Sequence, residues 1–506
     1  MEGVLQHRPP PVTWRTKAVY GSGAVAYAIK DFGFNYYLLF FYSQVIGLPA
    51  SWVSAAMMLA LMADAVIDLF IGHISDNWRS RLGRRHPFMY VAALPAAVSF
   101  ALLWSPPHLS REALFVYFLA LTVAVRACIA LYEIPGSALL PELARDYNER
   151  TSLFSWRFLF GYLGGLGFIQ FSASVLFKST PAYPVGQLDP QGYSYFGVLA
   201  GLIMLVSILI ATIGTHGRIP YFSVPSEQKE TGLRQALAQV RRTYANRSLV
   251  ALVFASIAAN IATGLGNGLA VFLYTYFWGL TAAQFAGVFP GSFIGAVLGP
   301  LLAPQLAKRL GKKNSGVMLA VMAVLISMAP YLLRFLGWFP AGGSPLVVGL
   351  LIVTLITTTL GVAASVTIVS MLADLVEDNE VATGRRAEGL VLASNTFSNK
   401  CGSGVGILLS GLLVTAVHLP AHAQPGSVAP SIINNLVLLF LPINTALYLA
   451  WIILISRYRI TREGHEENLR QLAQRAQSAA ALEPSSDKAA RQPDVLYAAD
   501  PSQQTP

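Results

Sequence analysis

The chain has 506 residues, 54% of them hydrophobic and only 12% charged, and its mean hydropathy is positive. A soluble protein of this length carries about twice that charged fraction, so the composition excludes a globular domain in water and predicts a polytopic membrane protein. The net charge of +10 does not point to nucleic acid, because the basic residues are distributed by membrane topology.

Apolar runs fall near 19–45, 51–74, 87–104, 112–139, 153–177, 194–215, 248–277, 283–307, 315–336, 345–372, 389–417 and 432–456. Each can cross a hydrocarbon core about 30 Å thick as a helix. Twelve spans with a cytoplasmic N-terminus bring both ends to the cytoplasm. Of the 35 Lys and Arg, only Arg111, Lys178 and Arg334 then fall in external loops, as the positive-inside rule requires. Lys30, Arg126, Arg157 and Lys400 lie within spans or at their edges. The N-terminal segment 1–18 has Pro9, Pro10 and Pro11 ahead of any apolar run and lacks the features of a cleavable leader, so the first span is expected to direct insertion.

In the second run, Asp64 and Asp68 stand one helical turn apart, on one helix face. A carboxylate in hydrocarbon costs at least a few kcal/mol, so the pair suggests a cation pathway. The plainer reading is a structural pair satisfied by basic neighbours. Asp31 and Glu133 complete a set of four intramembrane acids facing the four bases, which requires spans one, two, four, five and eleven to converge.

A polar stretch at 216–247 reads as an amphipathic helix on the cytoplasmic surface, with Arg234, Arg241 and Arg242 alternating with Leu233, Leu237 and Val240. It divides the chain into six-helix halves at 19–215 and 248–456. A repeat supports this division: Arg81-Leu82-Gly83-Arg84-Arg85 after span two returns 228 residues later as Arg309-Leu310-Gly311-Lys312-Lys313, suggesting parallel halves about an axis along the membrane normal. The tail, 457–506, starts as a basic amphipathic helix, and its last 25 or so residues have a disordered composition. Cys128 and Cys401 lie in different spans and read as packing residues. Gly164-Gly165 and the run Gly402, Gly404, Gly406 suit close helix contact.

Gly72-His73-Ile74-Ser75-Asp76 followed by Arg81-Leu82-Gly83-Arg84-Arg85 resembles the cytoplasmic loop signature of the major facilitator superfamily. Lys30-Asp31-Phe32, Asp64-Ala65-Val66-Ile67-Asp68, Tyr132-Glu133-Ile134-Pro135, Glu149-Arg150-Thr151 with Arg157, and Met371-Leu372-Ala373-Asp374 running on to Lys400 narrow the resemblance to the glycoside–pentoside–hexuronide:cation symporters, the family of melibiose permease. It covers residues 17 to 455. The resemblance implies an all-α membrane protein of the major facilitator fold, a carrier and not an enzyme. It would work as a monomer in the inner (plasma) membrane, with both termini cytoplasmic.

By that resemblance Asp64 and Asp68 bind the coupling cation, with Lys400 beside them. Substrate falls to Lys30, Asp31, Glu133 in place of the usual aspartate, Tyr132 and Arg157. Carboxylates accept paired hydrogen bonds from sugar hydroxyls, and Arg donates in a planar fork; alternatively, Glu133 and Arg157 simply tie spans four and five together. The cytoplasmic gate would comprise Gly72, Asp76, Arg81, Gly83, Arg84, Arg85, Asp374, Arg385 and Arg386, or these are ordinary loop charges. Melibiose permease adds side-chain oxygens where this chain has Ile67 and Ala130, which favours a proton over sodium as coupling ion; Asn395, Asn399 or backbone carbonyls are the oxygens left to complete a sodium shell. No other cofactor is implied.

The family's sugar-stacking tryptophan is replaced by Ser137, leaving Tyr36, Tyr37, Tyr132 and Trp156 as alternative aromatic surfaces. Arg126 has no counterpart in the pattern, and a polar group of helix one or three is its expected partner. The expected activity is symport of a sugar or glycoside, with a lysophospholipid or similar amphiphile as the alternative cargo. A transporter-like sensor is the remote third reading.

Overall fold

The computed structural model describes residues 12–144, 146–222, 247–383 and 388–457, with isolated positions up to 474. The amphipathic stretch from Leu233 to Arg242, the gate candidates Arg385 and Arg386, and the end of the tail lie outside the described residues. Among the described residues there is no strand.

The first span, α1, joins Trp14–Ser22 and Ala24–Phe32 and continues through the wider π-turns Gly33–Leu38 and Phe41–Val45. It is followed by α2 (Ala50–Asn77), α3 (His86–Leu103), α4 (Arg111–Ala138), α5 (Tyr147–Phe171, extended by a π-turn at Ser172–Leu176) and α6 (Pro190–His216). The second half comprises α7 (Arg247–Phe272, extended by a π-turn at Leu273–Phe277), α8 (Phe289–Leu310), α9 (Lys312–Phe335), α10 (Gly343–Thr383), α11 (Glu388–Ala416) and α12 (Pro430–Ser456). Eleven of the described spans are single helices long and apolar enough to cross a membrane. The composite α1 makes the twelfth crossing.

Local chemistry sets several helix ends. Ser110 caps α4 by accepting from the Ala113 amide, and Pro190 and Pro430 occupy first-turn positions where a missing N–H costs nothing. On α2, Leu59, Met62, Val66 and Leu69 form an exposed apolar stripe at helical spacing, the face suited to lipid. Asp64 and Asp68 sit on the opposite face, toward the bundle interior.

The repeat of the two halves is conformational as well as sequential. Gly83 and Gly311, equivalent positions of the basic loops, both adopt positive φ (74° and 80°), which favours glycine. A second repeat, not evident in the basic loops, closes α1 and α7: Tyr42-Ser43 leads to Gly47-Leu48 as Tyr274-Thr275 leads to Gly279-Leu280. Both glycines have positive φ. In each case the leucine amide returns to the tyrosine carbonyl at 2.9 Å.

Packing between the halves is carried by α2 against α11 and by α1 against α7. On the side opposite the basic loops the halves are tied by uncharged hydrogen bonds. Tyr276 Oη donates to Gln44 Oε1 at 3.0 Å and lies 2.8 Å from the Ala423 carbonyl. The His422 amide donates to the Gln44 carbonyl, and the Ser51 amide to Thr415 Oγ1, each at 3.1 Å. Gln44 and Tyr276 occupy equivalent places in the second repeat, so a pseudo-twofold pair meets on the seam.

Removing that hydroxyl leaves two buried acceptors without it, at a cost of about 1–3 kcal/mol. Tyr276→Phe is therefore expected to loosen this end of the bundle. Spin labels on the 177–189 and 336–342 loops would report a larger population at long separation in the variant than in the parent protein.

Candidate functional site

A cavity of about 360 Å³ lies between the halves, lined by α1, α2, α4 and α11. That size falls within the range of small-molecule sites. α1 contributes Tyr27, Lys30, Asp31 and Phe34, whose spacing of three and four residues places them on one face. α4 contributes Arg126, Ile129, Ala130 and Glu133 by the same logic. α2 supplies Asp64 and Asp68, and α11 supplies Thr396, Asn399, Lys400 and Ser403.

The centre of the site is an ion cluster across the seam. Lys400 Nζ donates to Asp64 Oδ2 at 2.8 Å and also to Asp68. Arg126, unassigned by motif, approaches the same Asp64 oxygen at 3.5 Å. Its guanidinium carbon stands 5.2 Å from the Phe34 ring centroid. The expectation of a helix-one or helix-three polar partner for Arg126 is corrected: its acid is on helix two, because α4 packs directly along α2.

Lys30 pairs with its neighbour Asp31 and stands 5.4 Å from the Tyr27 ring centroid. Glu133 Oε1 accepts from Arg157, while the buried Glu133 Oε2 has no hydrogen-bond partner among the described residues. Arg157 is set behind this wall: its Nη1 donates to Tyr20 Oη at 3.1 Å, and Tyr20 in turn donates to the Gly136 carbonyl at 3.0 Å. The cavity lining includes Glu133 but not Arg157, so Arg157 orients the acid from α5 and does not face the cavity.

Tyr132 is also corrected. It is buried and outside the lining, its hydroxyl filling the notch at Gly23 of α1. One residue on a helix turns the side chain by about 100°, enough to take it off the Glu133 face. The other aromatic candidates are likewise engaged in packing: Tyr36 against Phe32 and Phe289, Tyr37 among Phe177, Tyr193 and Phe196, and Trp156 on Phe160. The aromatic side chain exposed on the cavity wall is Tyr27, at 40%; Phe34 is 2% exposed.

The described gate residues pair within each half. Arg85 reaches Asp76 at 3.4 Å and Glu142 at 3.0 Å, and Arg84 also binds Glu142. Burial lowers the pKa of Arg85 while Glu142 opposes the shift. In the other half Lys312 binds both oxygens of Asp374, at 2.7 and 2.8 Å. Arg81 stays in the exposed loop, and Gly72 faces Ile134 of α4. Glu142 had no motif to announce it; a carboxylate just after Pro141 in the short helix Leu140–Leu143 was the available signal. Asn399 turns its oxygen to Asn260 of α7 at 2.8 Å, and the side chain of Asn395 lies outside the described residues. Among the described residues no group of three or more His, Cys, Asp or Glu could hold a metal ion.

Twelve spans in two like halves around a charged central cavity define a carrier of the major facilitator type. Residues 19–462 match the family model for MFS/sugar transport proteins, and the chain belongs to that family, the glycoside–pentoside–hexuronide:cation symporters. It is 34% identical over 200 residues to an uncharacterised symporter of Synechocystis sp., covering 38% of this chain and 36% of the relative, so this match spans about a third of that protein's length. It is 28% identical over 424 residues to the isoprimeverose transporter of Lactiplantibacillus pentosus, covering 81% and 84% of the two chains. Among solved structures, a bacterial homologue of the human lysosomal transporter Spinster, in an inward-facing conformation, superposes with a TM-score of 0.60 at 12% identity, over 91% of this chain and 98% of its own. That likeness concerns the fold alone.

Breaking a buried ion pair costs roughly 3–5 kcal/mol, whereas an exposed one contributes little. Glu142→Ala, which takes from Arg84 its acid partner and from Arg85 the nearer of its two, is therefore expected to lower the thermal unfolding midpoint of the purified protein by several degrees. Asp76→Ala, at a side chain 59% exposed, is expected to leave it nearly unchanged.

Proposed function

We propose that this protein carries a sugar or glycoside across the inner membrane in symport with a proton. The observation that carries the reading is Lys400 of one half bridging Asp64 and Asp68 of the other at the wall of a cavity that also holds Asp31 and Glu133. Two carboxylates this close share one ammonium because neither tolerates an uncompensated charge away from water. A proton on Asp68 removes one acceptor and lets Lys400 settle on Asp64. Since the bridge crosses the seam, proton occupancy alters the contact between the halves.

Substrate recognition follows from the remaining wall. Asp31 and Glu133 accept hydrogen bonds from ring hydroxyls, Lys30 donates, and Tyr27 offers an exposed ring to the apolar face of a sugar. This mixture of charges and amides suits a hydroxylated solute better than an acyl chain. Proton binding that raises substrate affinity is matched by substrate raising proton affinity, which is the thermodynamic content of coupling. The bias of Lys and Arg toward one set of loops supports a cytoplasmic location for both termini, and the carrier works as a monomer.

In proteoliposomes with an imposed pH gradient, Asp68→Asn is expected to abolish uphill accumulation while retaining downhill flux. Undiminished uphill uptake by this variant would refute the coupling assignment. Tyr27→Ala is expected to weaken apparent affinity for the carried glycoside by about 1 kcal/mol, roughly fivefold, with Tyr27→Phe close to the parent. Lysolipids that compete for uptake where glycosides do not would overturn the substrate class.

A further inference from the structure

We propose that Arg126 excludes a metal cation from the Asp64–Asp68 site by acting as the resident counter-charge of Asp64; the inference rests on the reading of those carboxylates as the coupling site. Arg126 is 6% exposed at the middle of α4. Its Nη1 stands 3.5 Å from Asp64 Oδ2, the same oxygen that accepts from Lys400 at 2.8 Å. Two cationic side chains thus converge on one carboxylate oxygen. Asp68 is paired with Lys400 alone among the ion pairs described.

The two cations differ in kind. Lys400 is a flexible ammonium whose side chain is 22% exposed, able to change partner within the cavity. A guanidinium keeps its proton at every accessible pH. Arg126 is also held in place, with Phe34 on one side and Asp64 on the other. Asp64 therefore faces a permanent positive charge.

A hard metal cation is bound by several oxygens. Here α4 presents the Arg126 guanidinium and, one turn further on, Ala130, which has no side-chain oxygen. On α11 the Asn399 oxygen is committed to Asn260. A sodium ion beside Asp64 would sit about 6 Å from the guanidinium. At an effective dielectric constant of about 20, that repulsion weakens its binding on the order of 100-fold.

The test measures thermal unfolding of the purified full-length protein in sodium chloride against choline chloride, at fixed pH and ionic strength. The parent protein is expected to show no sodium-specific shift. Arg126→Gln and Arg126→Met, each uncharged, are expected to gain one, with apparent sodium affinity raised about 100-fold. Arg126→Lys keeps the charge and is expected to stay indifferent, which separates charge from side-chain packing. Sodium stabilisation of the parent, or indifference of a folded uncharged variant, would overturn the proposal. Proton-driven glycoside uptake is scored separately, so failure of the transport reading and failure of the Arg126 assignment give different results.

Discussion

Charge balance in a low-dielectric interior is the constraint that organises this molecule. Four acids on α1, α2 and α4 meet four bases on α1, α4, α5 and α11, and every one of the eight has an opposite charge within ion-pair distance. Breaking such a pair by removing one partner is costly, because the survivor is left buried and uncompensated. The helices that carry these residues must therefore converge, and the cavity lies where they do. Lys400 differs from the rest because its partners belong to the other half. Any rocking of the halves must either keep that bridge or replace it.

The seam is held by different chemistry at its two levels. At mid-depth the link is ionic and responds to an added charge. On the side opposite the basic loops it is made of neutral hydrogen bonds centred on Gln44 and Tyr276. These are supported by aromatic contacts across the seam: Phe40 packs against Phe272 and Tyr276, and Tyr36 against Phe289. Neutral bonds of this kind are individually modest, so they can break and re-form without stranding a charge. Within the first half, by contrast, Trp104, Tyr193 and Phe196 pack as fully buried rings against Tyr37 and Phe41. That density favours movement of the half as a unit.

The spans and the acidic pair are legible in the sequence because bilayer thickness sets the length of an apolar run and a charge in hydrocarbon is costly, and the two like halves are legible because the basic loop after span two recurs after span eight. Arg126 was seen but not placed. Its helical phase relative to Ala130 and Glu133 put it on the cavity face, yet a choice among neighbouring helices is a tertiary fact. Tyr27 stands one turn before Lys30 and Asp31 on the same face, but an uncharged ring in an apolar run carries no energetic cost that would mark it in the sequence. Motif membership gives Tyr132 and Arg157 to the substrate, whereas a rotation of one residue and a position behind Glu133 turn them toward α1 and Tyr20. Glu142 pairs with arginines nearly sixty positions away, a separation that no local pattern conveys.

The most direct test of the account is proton movement coupled to solute flow. In proteoliposomes with an entrapped pH indicator and no imposed gradient, downhill entry of a bound glycoside should acidify the lumen in fixed ratio to the solute taken up, and the ratio should not change when sodium replaces choline. Glycoside entry with no accompanying acidification, or entry that needs sodium, would contradict the central role given to Asp64, Asp68 and Lys400.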